Sequence, residues 1–344
     1  MRNFLAERCF RSAQSFFGSM TQIRFHSILA GKVPPKITQT LEKSFTDLVA
    51  YHPQKVYRKQ IIDKSADKML EVLKDEADQG CVDSKQFLDV IEEYKKPKNK
   101  ILFLEGSSPN PKVGEYFAHL MASVIDRNLT LTSTGLINER GKLSEIGPHS
   151  DGSRQGVNVR LSILYGQNSQ GDGITGFIDL EKLYEKLSDK AKAVLAEPIY
   201  GYTDGIAPSM LTDPSMIANK PIVYRDEDGQ LIVNFSYDVG NTLACDYSNT
   251  KFSVKEVDDG IEEIGSCLDK MIEAGEFEAV RIRTGTMAIN KNKETLHFKT
   301  GDFKDPTNPD NIRVVGFNSY GPSSFGVASV KSSSLKGDDR SNQI

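Results

Sequence analysis

The chain has 344 residues, with 43 basic and 47 acidic side chains and a formal net charge of −4. The basic residues are spread out, and a surface without a polycation does not attract a nucleic-acid backbone, so we expect no nucleic-acid partner. No apolar run approaches the roughly 20 residues of a membrane-spanning helix, and we expect no membrane partner either. The length allows one elaborated domain or two domains.

The cysteines argue against two kinds of site. They are far apart in the sequence and form no CxxC pair, which speaks against a disulfide framework and against a thiolate zinc site. A reducing, cytoplasmic location is the simplest expectation. The residues are Cys9, Cys81, Cys245 and Cys267.

Residues 1–30 are predicted to be a leader. The first 20 residues are rich in arginine, phenylalanine and serine, with Glu7 as their only acid, and this composition is typical of an organelle transit peptide. A disordered leader, an amphipathic helix, or a second start at Met20 explains the composition as well. Whether residues 1–19 belong to the mature protein, and hence whether the protein enters an organelle, is left open.

Residues 31–100 are predicted to form a helical N-terminal section, because apolar residues recur three and four positions apart. We expect Ser65 to cap the second helix and Gly80 to end it. The lysine-rich sequence KKPKNK at 95–100 ends the section. The three predicted helices lie within residues 37–52, 65–80 and 84–94.

Short β-type segments dominate residues 101–328, the predicted core domain. Because few βαβ alternations occur, we predict an α+β fold with a double-stranded β-helix (jelly-roll) core and flanking helices. The polar tail at 329–344 is predicted to be disordered. Predicted strands lie at 101–106, 157–166, 221–238 with Asp228 and Gly229 at a hairpin turn, 279–290 and 311–321; predicted helices lie at 112–126, 180–196 and 257–275.

The sequence GPHSD at 147–151 raises the question of a metal site. In an extended segment, residues two apart point to the same side, so His149 and Asp151 can offer a nitrogen and an oxygen to one ion. By itself the pair fits a solvated polar turn as well. With His297, 148 residues after His149, it would form a set of two histidines and one carboxylate, which suits non-haem Fe(II) better than zinc.

Two further segments resemble the taurine dioxygenase and clavaminate synthase superfamily. From Gly171 onwards, a glycine-rich turn and Thr175 precede an aspartate and a helix, and Thr175 follows His149 by 26 residues, as in the family. In the second segment, Asn292 and Lys293 precede the distal histidine. The resemblance covers about residues 101–320.

An arginine completes the second segment. Arg313 follows His297 by 16 residues, a longer gap than is usual in the family, and the turn-forming sequence at 305–311 can loop out the excess. Phe317 stands four residues later, where taurine dioxygenase has an arginine that binds the sulfonate of its substrate. An amino-acid-like substrate is therefore expected in preference to a sulfonate.

The resemblance implies an Fe(II)- and 2-oxoglutarate-dependent oxygenase that hydroxylates or desaturates a small molecule with O2 and releases succinate and CO2. His149, Asp151 and His297 would hold the iron. Arg313 and Thr175 would bind the distal carboxylate of 2-oxoglutarate. The family's halogenases have a small residue in place of the carboxylate, so Asp151 points away from halogenation.

Two alternatives stay open. An oxygenase of this kind can act on a protein or peptide side chain, with the helical section as a docking module. A non-catalytic jelly-roll binding protein would have no iron dependence, and the long gap from His297 to Arg313 favours it. A homo-oligomer is also left open. Arg154 and Gln155 are candidates for substrate or lid contacts, although a solvated loop is the simpler interpretation, and for Tyr200, Tyr202 and Tyr224 a pocket lining and a half-buried position fit equally. We expect His26 and His52 at the surface and His119 packed in a helix, not as ligands.

Overall fold

The computed structural model describes residues 28–51, 57–138, 146–151, 159–168, 173–202, 219–226, 229–236, 243–300 and 311–319. The first 27 residues and the predicted tail at 329–344 lie outside this part of the chain. The helices are α1 Pro35–Tyr51, α2 Lys59–Asp78, α3 Val82–Lys95, α4 Pro111–Ile125, α5 Leu180–Lys186, α6 Asp189–Leu195 and α7 Val254–Glu273.

Twelve of the fourteen described strands lie after α4. The fourteen are β1 Ile28–Lys32, β2 Ile101–Glu105, β3 Leu129–Asn138, β4 Ile146–His149, β5 Leu161–Asn168, β6 Ile174–Asp179, β7 Tyr200–Tyr202, β8 Val223–Arg225, β9 Leu231–Val233, β10 Leu243–Cys245, β11 Glu278–Val280, β12 Thr286–Lys291, β13 Thr295–Thr300 and β14 Asn311–Ser319.

The second helix begins earlier than predicted. α2 starts after Arg58, and Ser65 lies inside it, so the predicted cap is wrong. The reason is that Ile62 is buried and extends the apolar row of Ala66 and Met69 by one turn towards the N-terminus. Gly80 follows the helix with φ 86°, the left-handed position that commonly ends a helix, as predicted.

Two other predicted elements are divided. The helix predicted at 180–196 is two helices, because Ser188 caps α6 by accepting a hydrogen bond from the Ala191 N–H at 3.1 Å. The strand predicted at 279–290 is β11 and β12, which lie in different sheets on either side of a turn at Gly285 with φ 77°. The predicted hairpin is present as the antiparallel pair β8 and β9.

The strands form two main sheets. One has six strands in the order β1-β2-β12-β5-β14-β3, antiparallel except for the β1-β2 pair. The other has four antiparallel strands in the order β11-β6-β13-β4. The β1 strand spans the boundary predicted at residue 30 and joins the chain before α1 to the large sheet. The fold is thus mixed α/β and contains antiparallel sheets.

Alternating side chains divide the core into layers. On β5, Ile163 and Tyr165 pack in the cluster that α1–α4 form with the six-stranded sheet. Leu164, between them, packs instead against Phe177 of the four-stranded sheet. The outer face of the small sheet, with Phe298, packs against α5–α7. The two sheets therefore face each other across an interior, with helices on both outer sides.

No helix in the described ranges is both long and apolar enough to cross a bilayer. Three of the four cysteines lie in the described ranges, and none of these three is in a disulfide bond: Cys81, Cys245 and Cys267.

Candidate metal centre

Two neighbouring strands bring the three candidate ligands together. His149, the last residue of β4, is paired with His297 of β13, and their ring centroids are 4.2 Å apart. Asp151 Oδ1 lies 3.7 Å from His149 Nε2 and 3.5 Å from His297 Nε2. One ligand atom from each residue can be chosen so that all three lie within 4.8 Å of one another. The predicted triad is therefore a single cluster in the structure.

The segment that carries His149 and Asp151 is held on its other side by the end of β9 and the residues that follow it. His149 forms a β-bridge with Ser236. The Ser150 N–H donates to the Phe235 carbonyl at 2.9 Å, and the Ser150 hydroxyl donates to the Val233 carbonyl at 3.3 Å. The two candidate ligands thus flank a serine whose backbone and side chain are both anchored.

Asn292 clamps the same segment from the turn between β12 and β13. Its Oδ1 accepts from the Asp151 N–H at 2.8 Å, and its Nδ2 donates to the Asp151 carbonyl at 3.0 Å and to the Val159 carbonyl at 2.8 Å. The side chain is fully buried. The turn that leads to His297 therefore also positions Asp151.

The hydrogen bonds around the cluster orient its side chains. His149 Nδ1 lies 2.8 Å from the Gly147 carbonyl, which favours a proton on Nδ1 and leaves the Nε2 lone pair for a metal. The Ser162 hydroxyl, on β5 of the opposite sheet, donates to Asp151 Oδ2. For the His297 Nδ1, which is buried, the described residues provide no hydrogen-bond partner.

The charge of Asp151 suits a metal ligand. Burial alone would raise the pKa of its carboxyl group, but the charge and hydrogen bond of His297, the charge of His149 and the Ser162 hydrogen bond together lower that pKa below its ordinary value. The group is therefore an anion at neutral pH. An ionised carboxylate beside two imidazoles is the donor set of a non-haem Fe(II) site.

The spacing of the ligand atoms also fits an ion. With metal–ligand bonds of about 2.1 Å, adjacent ligands of an octahedral ion are about 3 Å apart. The carboxylate-to-imidazole distances of 3.5 and 3.7 Å are slightly longer, so a small contraction brings all three atoms to one ion. The residues present thus fit the metal.

Thr175 lies on the same interior surface. Its neighbour two positions along β6, Phe177, is paired with His297, and Thr175 itself is paired with Lys299 of β13. Thr175 is 2% exposed. Because alternate residues share a face, Thr175 and Lys299 form the next row of the interior beyond His297.

Phe317 has different surroundings from Thr175. On β14, Arg313 is paired with Tyr165 and Phe317 is paired with Leu161, and Phe317 packs in the cluster that α1–α4 form with the six-stranded sheet. Phe317 is buried there, with its ring 5.2 Å from that of His119. Phe317 therefore packs on the side of the helices, and that it stands in the place of a sulfonate-binding arginine stays a prediction. The Arg313 side chain lies outside the described part of the structure.

The remaining candidates are distributed over the core and a separate cavity. His119 is buried in α4, and Tyr200 is buried with its hydroxyl donating to the Val194 carbonyl at 3.0 Å. Tyr224 and Lys293 line a cavity of about 220 Å³ that includes none of the three candidate ligands. The side chains outside the described residues are those of Arg154, Gln155, Tyr202, His26 and His52.

Sequence reasoning missed two residues of the interior. Ser162 is a hydroxyl in the otherwise apolar run LSILY, and Lys299 follows His297 by two positions in a strand. In both cases the two-residue period of a strand could have identified the residue. It places Lys299 on the same face of its strand as His297, and it places Ser162 on the other face of its strand from Ile163.

Comparison with known proteins gives matches among solved structures. No protein-family profile and no curated protein matches the chain. An asparagine oxygenase in complex with Fe(II), 2S,3S-3-hydroxyasparagine and succinate is 13% identical, with a TM-score of 0.55, over 83% of this chain and 93% of that one. The non-heme iron oxygenase OrfP in complex with Fe and alpha-ketoglutaric acid is 11% identical, with a TM-score of 0.59, over 83% and 92%.

OrfP is also matched in a complex with Fe, succinate and (3S)-hydroxy-L-Arg, at 11% identity and a TM-score of 0.57, over 83% of this chain and 93% of that one. At these identities the likeness concerns the fold, and it extends over most of both chains. The resemblance inferred from the sequence is thereby confirmed at the level of the fold, which this chain shares with non-haem iron oxygenases.

Proposed function

We propose that the protein is an Fe(II)- and 2-oxoglutarate-dependent oxygenase that hydroxylates or desaturates a small amino-acid-like molecule. The observation that carries the proposal is the cluster of His149 and His297, on paired strands of an oxygenase-like fold, with Asp151, two residues after His149. The similar structures contain hydroxylated asparagine and hydroxylated arginine as ligands, which supports an amino-acid-like substrate.

The two facing sheets support a jelly-roll core. In this proposal the six-stranded and four-stranded sheets are the two halves of a double-stranded β-helix, and the cluster lies between them. Ser162 of one sheet donates to Asp151 beside the other, so the cluster joins both halves. The helical section at 31–100 is proposed to brace the large sheet, since its buried side chains pack against that sheet.

The chain's own residues perform three tasks in this reaction. His149, Asp151 and His297 hold the metal from one side, which leaves coordination positions open on the other. Thr175 donates a hydrogen bond to 2-oxoglutarate, and Arg313 remains a predicted ligand of the same molecule. Apolar side chains between the sheets exclude water from the site, among them Leu164 and Phe177.

When bound, Fe(II) and 2-oxoglutarate supply the oxidising chemistry. In hydroxylation, one O2 is consumed for each turnover, and one oxygen atom enters succinate while the other enters the product. CO2 leaves from the C1 carboxylate of the cosubstrate. Desaturation uses the same oxidant. It removes two hydrogen atoms from the substrate, and these atoms end up in a molecule of water together with the second oxygen atom.

An anaerobic titration tests the proposal. The purified protein is titrated with Fe(II) and 2-oxoglutarate while the visible metal-to-ligand charge-transfer band is recorded. We expect a band that requires both additions, that His297→Ala abolishes and that His119→Ala retains, since His119 is a buried histidine outside the cluster. Folded wild-type protein without a band would support a non-catalytic binding protein.

The cellular setting stays a prediction. We propose a cytoplasmic enzyme, or an organelle enzyme if the leader directs import, with a small-molecule substrate and O2 as its partners. Whether it forms a homo-oligomer is measured by light scattering of the full chain.

A further inference from the structure

The two oxygens of the Asp151 carboxylate have different partners. Oδ1 lies 3.7 Å from His149 Nε2 and 3.5 Å from His297 Nε2, so it is the oxygen that belongs to the candidate metal site. Oδ2 accepts a hydrogen bond from the Ser162 hydroxyl, which belongs to the six-stranded sheet. The proposed function gives this serine no task in the chemistry of the metal.

Other contacts fix the backbone of Asp151 but not its carboxylate. Asn292 accepts from the Asp151 N–H at 2.8 Å and donates to the Asp151 carbonyl at 3.0 Å. The carboxylate can still rotate about the Cβ–Cγ bond, because this torsion has a broad, roughly two-fold energy profile. When both imidazoles bind a metal, Ser162 is the side-chain donor that the described residues leave to hold the torsion.

The position of Ser162 itself is rigid. Its strand, β5, lies between β12 and β14, and Ser162 is paired with Asn290 on one side and with Gly316 on the other. The next residue, Ile163, packs with the helices, so Ser162 lies on the face of β5 that is turned towards the small sheet. Ser162 is 0% exposed, and bulk water therefore does not compete for its hydroxyl group.

The hydrogen bond affects how many positions of the metal stay open. An octahedral ion has six positions, and one ligand atom from each of the three residues leaves three of them. The 2-oxoacid end of 2-oxoglutarate needs two, and O2 needs the third. A carboxylate that bound through both oxygens would take one position more, and none would remain for O2.

We infer that Ser162 is a positioning residue that keeps Asp151 bound to the metal through Oδ1 alone and so keeps open the position at which O2 binds. This inference rests on the proposed function. It gives the six-stranded sheet a task in the reaction, although all three metal ligands lie on or beside the four-stranded sheet.

Removal of the hydroxyl group should change the binding mode of the carboxylate. In Ser162→Ala, Oδ2 loses its partner, and a buried carboxylate oxygen without a hydrogen bond is unfavourable. The space left by one hydroxyl group is smaller than the roughly 30 Å³ that a water molecule occupies in the liquid, so water does not replace it. A rotation of the carboxylate instead brings Oδ2 to the metal, since such ions accept carboxylates through one or both oxygens.

A count of the water molecules on the metal tests the inference. Mn(II) is added to the full-length apo-protein, because it suits carboxylate and water ligands and its EPR lines broaden when bound water carries the magnetic isotope of oxygen. Wild-type protein is expected to hold about three waters without 2-oxoglutarate and about one with it. Ser162→Ala is expected to hold about two and none, respectively.

Three further variants separate the hydroxyl group from other effects. Ser162→Thr and Ser162→Val have nearly the same shape, and only the threonine keeps a hydroxyl; the threonine variant should keep the wild-type count, and the valine variant should match Ser162→Ala. Ser84→Ala is the matched control, because Ser84 is also 0% exposed and donates to Glu76 Oε2 at 2.7 Å, outside the cluster. It should lower the melting temperature without changing the water count.

The possible failures can be told apart. A Ser162→Ala protein that binds Mn(II) with three or more waters would overturn the inference. Wild-type protein that binds neither Mn(II) nor Fe(II) contradicts both the metal centre and the role of Ser162. Wild-type protein that binds the metal but loses no water when 2-oxoglutarate is added contradicts the oxygenase proposal, while the comparison without 2-oxoglutarate still decides whether Ser162 limits Asp151 to one oxygen.

Discussion

Replacing Asn292 with alanine should weaken both the fold and the metal site. The side chain makes three hydrogen bonds, to both backbone groups of Asp151 and to the Val159 carbonyl, and it is fully buried. The variant leaves one buried N–H group and two carbonyls without these partners. Each such group costs about 1–3 kcal/mol, and water entering the space restores part of the loss. We therefore expect the free energy of unfolding to fall by about 3 kcal/mol.

The effect on metal binding follows from the same contacts. Asn292 touches no metal ligand atom but holds the backbone of Asp151, and a loss of such support typically lowers metal affinity 10–100-fold. Guanidinium unfolding of the apo-protein measures the stability. An anaerobic competition titration with a coloured chelator measures the Fe(II) affinity.

Asn99→Ala is the matched control. Asn99 Nδ2 donates to the Glu93 carbonyl at 2.6 Å and to Glu93 Oε1 at 3.1 Å, at the end of α3. Its replacement should cost about 1 kcal/mol and leave Fe(II) affinity unchanged. An Asn292→Ala protein that binds Fe(II) as tightly as wild type would refute the positioning role, whatever its stability.

Two predictions concern the helical layer. Gly114→Ala should lower the free energy of unfolding, measured by urea denaturation, by about 2 kcal/mol despite the better helix propensity of alanine. The reason is that an added Cβ would lie 1.9 Å from Cζ of the buried Tyr165 ring. An equally stable variant would contradict this packing. Burial lowers the pKa of His119 to about 4. The unfolded chain therefore binds the proton first as pH falls, and wild-type protein should lose up to about 3 kcal/mol between pH 6.5 and pH 4. His119→Leu should lack this part of the pH dependence in unfolding curves, and equal slopes for both proteins would show that His119 is not buried in the neutral form.

Local periodicity determined most of the elements. The helices α1, α3, α4 and α7 lie where apolar residues recur at helical spacing, and β2, β5 and β14 lie in the predicted apolar runs. Periodicity was insufficient at Ser65, where an earlier apolar residue extends the helix, and at Ser188, where a cap divides one apolar stripe into two helices.

The sequence by itself determined that His149 and Asp151 share one side of a short extended segment, because that relation depends only on the two-residue period of a strand. The tertiary structure alone decided that β4 pairs with β13, which brings His297 against His149 across 148 residues of chain. It also decided that His297 faces the interior while Phe298 packs against the helices on the outer side of the small sheet. A slip of one residue in register moves every side chain of a strand to the other face, so the position of His297 beside His149 depends on strand pairing that no local pattern encodes.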